Sequence, residues 1–116
     1  MEDVKALALF RQILAKTQKG RIGWEPTARE AEYFCVLPGG FTVSITLSKE
    51  KNDWGGIINE KTELTLRAED QALLRVTPEV DGVGSAAMEE LYELARRQAL
   101  SVDAQVDKLL GELAKL

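Results

Sequence analysis

The sequence predicts an α+β domain: an N-terminal helix, a four- to five-stranded antiparallel meander sheet, and one long or two consecutive C-terminal helices, the helices packed on one sheet face. Three observations lead there. Residues 3 to 19 carry apolar side chains at helical spacing, and residues 85 to 116 carry a longer stripe of the same kind. Between them lie short runs of alternating apolar and polar residues, separated by turn residues with no helical crossover. Consecutive strands without a crossover pair antiparallel, and the apolar side of such a sheet needs helices to cover it.

In the first helix, Val4, Leu7, Phe10, Leu14 and Thr17 fall on one stripe, broadened by Ala8 and Ile13. Asp3 suits the start, where a carboxylate accepts free backbone N–H groups. Lys16 and Lys19 suit the negative end of the helix dipole, and Gly20 suits a left-handed C-cap. Arg21 to Glu25 reads as a short strand with Ile22 and Trp24 on one face, ended by Pro26. Thr27-Ala28-Arg29-Glu30 has the form of a capping box, but a turn is preferred because strand formers follow at once. Tyr33 to Leu37 is apolar on both faces, which predicts a central strand.

Pro38-Gly39-Gly40 signals a hairpin. Phe41 to Ser48 alternates cleanly, with Phe41, Val43, Ile45 and Leu47 inward and Thr42, Ser44, Thr46 and Ser48 outward. Lys49 to Lys61 reads as a long connection, longer than hairpins usually need. Thr62 to Ala68 places Leu64 and Leu66 inward, and Ala72 to Thr77 places Ala72, Leu74 and Val76 inward before Pro78. The outward residues would form a polar face with Arg67 and Arg75 among hydroxyls, an ordinary wet face of an antiparallel sheet.

From Met88 the stripe steps by four and three through Tyr92, Ala95, Ala99, Val102, Val106, Leu109, Leu113 and Leu116, with Leu91, Leu94 and Leu110 widening it. As one helix, residues 85 to 116 would run about 48 Å at about 1.5 Å per residue. A compact domain of this length is only about 30–35 Å across. The last turns, residues 101–116, are therefore expected to protrude and to expose Val102, Val106, Leu109, Leu113 and Leu116 as an interface. A break near Leu100 to Asp103, with Ser101 capping a second helix, is the alternative.

The length of 116 residues and a hydrophobic content of 45% predict a single domain, residues 1–116, with enough apolar material for a core. Fifteen Lys and Arg are interleaved with nineteen Asp and Glu, for a net charge of −4. That balance argues against nucleic acid. One cysteine and no histidine exclude an internal disulfide, a histidine triad and the usual zinc sites, so no cofactor, metal or catalytic residue is expected. No stretch reads as a membrane span or a secretory leader, and a reducing cytoplasm is the expected setting.

Gly82-Val83-Gly84-Ser85-Ala86-Ala87 matches a dinucleotide fingerprint, but no parallel unit surrounds it, and the expectation is a loop with Ser85 as N-cap. Gly55 to Thr62 nearly fits a phosphate loop, yet Glu60 stands where a second glycine belongs. Carboxylate pairs such as Glu89 and Glu93 read as a solvated helix face, with Glu93 placed to pair with Arg97. Cys35 reads as a buried small hydrophobe. Trp54 is expected to fold back onto one end of the core. The rival reading takes Asp53, Trp54, Gly55 and Gly56 as a ligand or partner loop. The sequence thus predicts a non-enzymatic interaction module, a homodimer or a binder of another protein through its C-terminal helix. The runner-up is a small-ligand or regulatory binder using the Trp54 loop and the Gly82–Ser85 turn.

Overall fold

The computed structural model of the protein describes residues 2–116, with the side chains of Glu2, Asp3 and Ile58 left out of the description. The cap expected at Asp3 therefore lies outside the described residues. Eight elements follow in order: α1 (Glu2–Gln18), β1 (Glu25–Pro26), β2 (Glu32–Leu37), β3 (Phe41–Lys51), β4 (Ile57–Ala68), β5 (Gln71–Val76), α2 (Gly84–Ala99) and α3 (Val102–Ala114). The strands form one five-stranded sheet in sequence order, every neighbour antiparallel.

α1 buries Ala6, Phe10, Ile13 and Thr17. The stripe is rotated from the expected one, and Val4 is 71% exposed because the first turn overhangs the core. The helix ends as its sequence requires. Gly20 adopts φ +71, its N–H donates to the Thr17 carbonyl, and the Arg21 N–H donates to that of Lys16. This is the Schellman pattern, which satisfies carbonyls a helix end leaves free. Thr17 is buried for a polar reason, since its Oγ1 accepts the Trp24 indole N–H at 3.1 Å.

Residues 21 to 24 form no strand. Ile22 and Trp24 do point into the core, but only Glu25 and Pro26 pair with β2. β2 is accordingly central only at Tyr33 and Phe34; past Phe34 its edge pairs with no strand among the described residues, and Val36 is exposed. The expected turn at Thr27 to Glu30 is present. The inward face of the sheet centres on Tyr33, Cys35, Val43, Ile45, Leu64 and Val76, all buried. Phe41, expected inward, lies at the end of the sheet and is partly exposed. Ala72 is also exposed: a bulge at Leu66/Arg67 shifts the register so that Ala72 pairs with Arg67.

The largest departure concerns Lys49 to Lys61. Most of it is strand, not loop. β3 and β4 stay paired from Ser48 with Lys61 to Lys51 with Ile57, leaving Asn52 to Gly56 as the connection. Together they project past β2 and β5 as a two-stranded ribbon.

α2 lies across the inward face of the sheet and α1 packs beside it against β5. α2 buries Met88, Leu91 and Ala95 completely. Each large apolar side chain so buried stabilises the fold by about 1.5–3 kcal/mol. Ser85 does not cap this helix: Val83 holds the cap position, with no side-chain hydrogen bond. Two distant clasps fix α2, one from the Trp24 N–H to Gln98 Oε1 at 2.9 Å and one from the Gln18 amide to Glu90 at 3.0 Å.

Candidate functional site

The C-terminal stripe divides at Ser101. Leu100 still donates its N–H to Arg96, but Ser101 turns left-handed at φ 51 and donates to Gln98. The Gln105 N–H then starts α3 on the Ser101 carbonyl, and the Gln105 side-chain amide donates to the Leu100 carbonyl. Ser101 therefore sits where helices usually place glycine, a position that costs a non-glycine residue about 1–2 kcal/mol. Its hydroxyl makes no cap, because a capping side chain needs extended backbone. Arg97 bonds Asp103 across the break at 2.8 Å, not Glu93 as expected; Glu93 takes Arg96 at 3.1 Å. Asp103 holds the Arg97 guanidinium above its ordinary value by hydrogen bonding and charge.

Among the described residues, α3 packs against no secondary element other than α2 beyond the break, and it buries no residue. Of the expected interface residues, Val102 is half-buried, while Val106, Leu109 and Leu113 are about half exposed and Leu116 is 97% exposed. Leu110 joins them at 57%. The Cα radius of gyration is 16.2 Å, against about 13 Å for a compact chain of this length.

Trp54 does not fold back onto the core. It is 93% exposed at the ribbon tip. The tip is built to hold it there. Asn52 Oδ1 accepts the N–H groups of Trp54 and Gly56 at 3.0 and 2.9 Å, and the Asn52 N–H donates to the Gly56 carbonyl. Gly55 adopts φ +81. Asp53 and Gly56 share this tip. The loop lies at the ribbon tip and the Gly82–Ser85 turn at the entry to α2, and the cleft described below includes neither. The turn has a packing reason for its glycine: at Gly82, φ +89, a Cβ would come within 2.8 Å of Leu7.

A third feature combines residues that the sequence keeps far apart. A cleft of about 730 Å³ opens between the Thr27–Ala31 turn, the root of the ribbon and the last turns of α2. Arg29, Lys49, Lys51 and Arg96 line it, with Glu30 as its one carboxylate. Tyr33 and Tyr92 meet at its wall, ring centroids 5.7 Å apart and tilted by 52°. The turn that presents Arg29 is pinned: Thr27 Oγ1 accepts the Arg29 N–H at 3.0 Å and bonds Glu32 Oε2 at 3.0 Å, and the Ala31 carbonyl accepts the Leu47 N–H. Burial first, and the neighbouring Tyr33 next, push the Tyr92 phenol up to about 12. Cys35, beneath the sheet, is pushed up to about 11 by burial, so its thiol stays protonated and unreactive at neutral pH. The outward sheet face offers no comparable concentration of charge, since Arg75 faces Glu63 at 3.6 Å.

The sequence reading missed the cleft, although one signal was present. The inward phase of Val43, Ile45 and Leu47 continues into Lys49, placing a lysine on the helix-covered side. Among the described residues, no helix is long and apolar enough to cross a membrane. Compared with family models, curated proteins and solved structures, the chain matches none.

Proposed function

We propose that this protein is a non-enzymatic protein–protein interaction module that self-associates through α3. The observation that carries the reading is an amphipathic helix whose apolar stripe, Val106, Leu109, Leu110, Leu113 and Leu116, faces solvent. α1 and α2 bury their stripes; α3 has nothing to bury its own against. A helix of 13 residues is marginal in water by itself, because short helices do not repay their nucleation cost. Contiguous apolar surface of this kind is normally covered by another chain. A second copy is the partner favoured. A two-fold axis sets the stripe against itself, and antiparallel pairing about the middle of α3 sets Asp107 of one copy near Lys108 of the other. The helix lacks the basic polar face of a membrane-surface helix.

Light scattering on the full chain and on a chain ending at Ser101 tests this reading. The full chain should have the mass of two copies, and the shortened chain should be a folded monomer. A full chain with the mass of one copy rejects self-association.

The Trp54 tip supports a second contact with a protein partner. A pinned indole offers large contact area at low entropic cost, as interface anchors do. Trp54→Ala should weaken capture of such a partner while leaving the mass of the assembly unchanged.

A further inference from the structure

We infer that the cleft between the Thr27–Ala31 turn, the ribbon root and the end of α2 binds a small organic polyanion. The inference does not depend on what α3 does, although Leu100, at the α2–α3 break, reaches the cleft rim.

Charge is the first argument. The chain as a whole is acidic at −4, yet four cations and one carboxylate line this concavity. Such concentration against the overall sign is a local field, focused by the low-dielectric walls of a cleft. Three separate elements supply the cations: the turn gives Arg29, β3 gives Lys49 and Lys51, and α2 gives Arg96. Among the described residues, Arg29, Lys49 and Lys51 have no carboxylate within ion-pair distance; Arg96 is shared with Glu93. One negative charge would leave most of that field unanswered, so the ligand carries two or more.

Size and lining narrow the class. The volume of about 730 Å³ falls inside the range of small-molecule sites, about 300–1,000 Å³. Tyr33, Tyr92, Leu47 and Leu100 supply rings and apolar wall, a surface for a carbon framework and not for a bare inorganic ion. The Tyr92 hydroxyl stays protonated through the neutral range, so it adds no negative charge to the cleft. An extended polyanion is disfavoured. The ribbon outside the cleft carries Glu50, Asp53 and Glu60, which repel a nucleic-acid backbone.

The test titrates the full chain with citrate, inorganic pyrophosphate and adenosine monophosphate, each followed by amide chemical shifts. Expected is saturable binding of citrate or adenosine monophosphate, with shifts confined to residues 29–31, 49–51 and 92–100. Pyrophosphate without the monophosphate or citrate would mark bare charge as sufficient and would overturn the organic requirement. Lys49→Gln with Lys51→Gln should weaken binding about tenfold or more, as expected for lost charge-assisted hydrogen bonds. Both lysines are exposed, so the fold should survive the change. The control pair Lys5→Gln with Lys16→Gln removes equal charge elsewhere and should leave affinity within about twofold. Failure of all three probes to bind at millimolar concentration overturns the site. So does equal weakening by both pairs, which would show only a response to net charge.

Discussion

α2 and α3 share one apolar stripe and meet opposite fates. In α2 the residues Met88, Leu91 and Ala95 are wholly buried against four strands and α1. In α3 the same four-and-three spacing continues through Val106, Leu109 and Leu113, yet these side chains stay about half exposed. Spacing alone says that a helix has a face to bury; it does not say against what. The sheet ends before the stripe does, and Ser101 turns the chain away at that point. The difference separates a helix that makes the fold from one left over for association.

The strongest way to break this comparison is to truncate the same residue type in each helix. Leu91→Ala should cost about 2–5 kcal/mol in urea unfolding, the range for cavities in a packed core. Leu109→Ala with Leu113→Ala should leave the unfolding of the isolated protomer nearly unchanged and abolish association by light scattering. If the α3 pair destabilised the protomer as much as Leu91→Ala, α3 would be core.

Next in size is Gly82→Ala, just ahead of α2. The new Cβ meets Leu7 at 2.8 Å in a left-handed backbone, which should cost about 1–3 kcal/mol in thermal or urea unfolding. An unchanged midpoint would show that the α2 entry does not depend on this close approach.

The two tryptophans sharpen the contrast further. Trp24 is buried beneath Thr17 and clasped to Gln98 of α2, while Trp54 is bare. Trp24→Phe should lose about 1 kcal/mol with its indole hydrogen bond and remove the blue-shifted, protected emission. Trp54→Phe should remove the red-shifted, readily quenched emission without moving the unfolding midpoint. A single blue-shifted, protected population in the wild type would return Trp54 to the core.

The smallest effect is alkaline. Cys35 rises from 9.0 to about 11 and Tyr92 from 10.0 to about 12, both through burial first. Their neutral forms are favoured in the folded state, so the folded protein holds protons that the unfolded chain has released. This stability is fully present below about pH 9 and is lost as pH rises through the folded values. Both groups belong to the body covered by α2. The chain ending at Ser101 should therefore show the same alkaline slope as the full chain, and Tyr92→Phe should flatten it in either.

The sequence made the sheet legible where one face is buried. Val43, Ile45, Leu64 and Val76 alternate because the pleat alternates, and all four are core. It misled where pairing continues without burial. Lys49 to Lys51, Ile57 and Asn59 to Lys61 are exposed, so no buried face marks these segments as strand, yet their backbones remain paired. β1 failed in the opposite sense: Ile22 and Trp24 are buried, but no ladder extends that far. In α1 the spacing was right and the phase was not, since a stripe does not reveal which turn overhangs the core. The exposed row of α3 was expected from the length of one unbroken helix; the chain instead breaks at Ser101, and the row is exposed all the same. The cleft could not be foreseen, because Arg29, Lys49, Lys51 and Arg96 meet only after the sheet, the turn and α2 have assembled.

The placement of α2 also bears on the birth of the chain at the ribosome. The strands pair with their immediate neighbours, contacts of short sequence separation that form fast. The helix that covers most of them is nevertheless made after all five, and its Gln98 must return to Trp24. A nascent chain that has completed β5 therefore presents a sheet with its oily side largely uncovered. Until residue 99 clears the exit tunnel, that surface is open to chaperones or to other unfinished copies. A delay while β5 is outside the tunnel and α2 is still within it should accordingly lower the yield of native protein more than an equal delay once residue 99 has emerged.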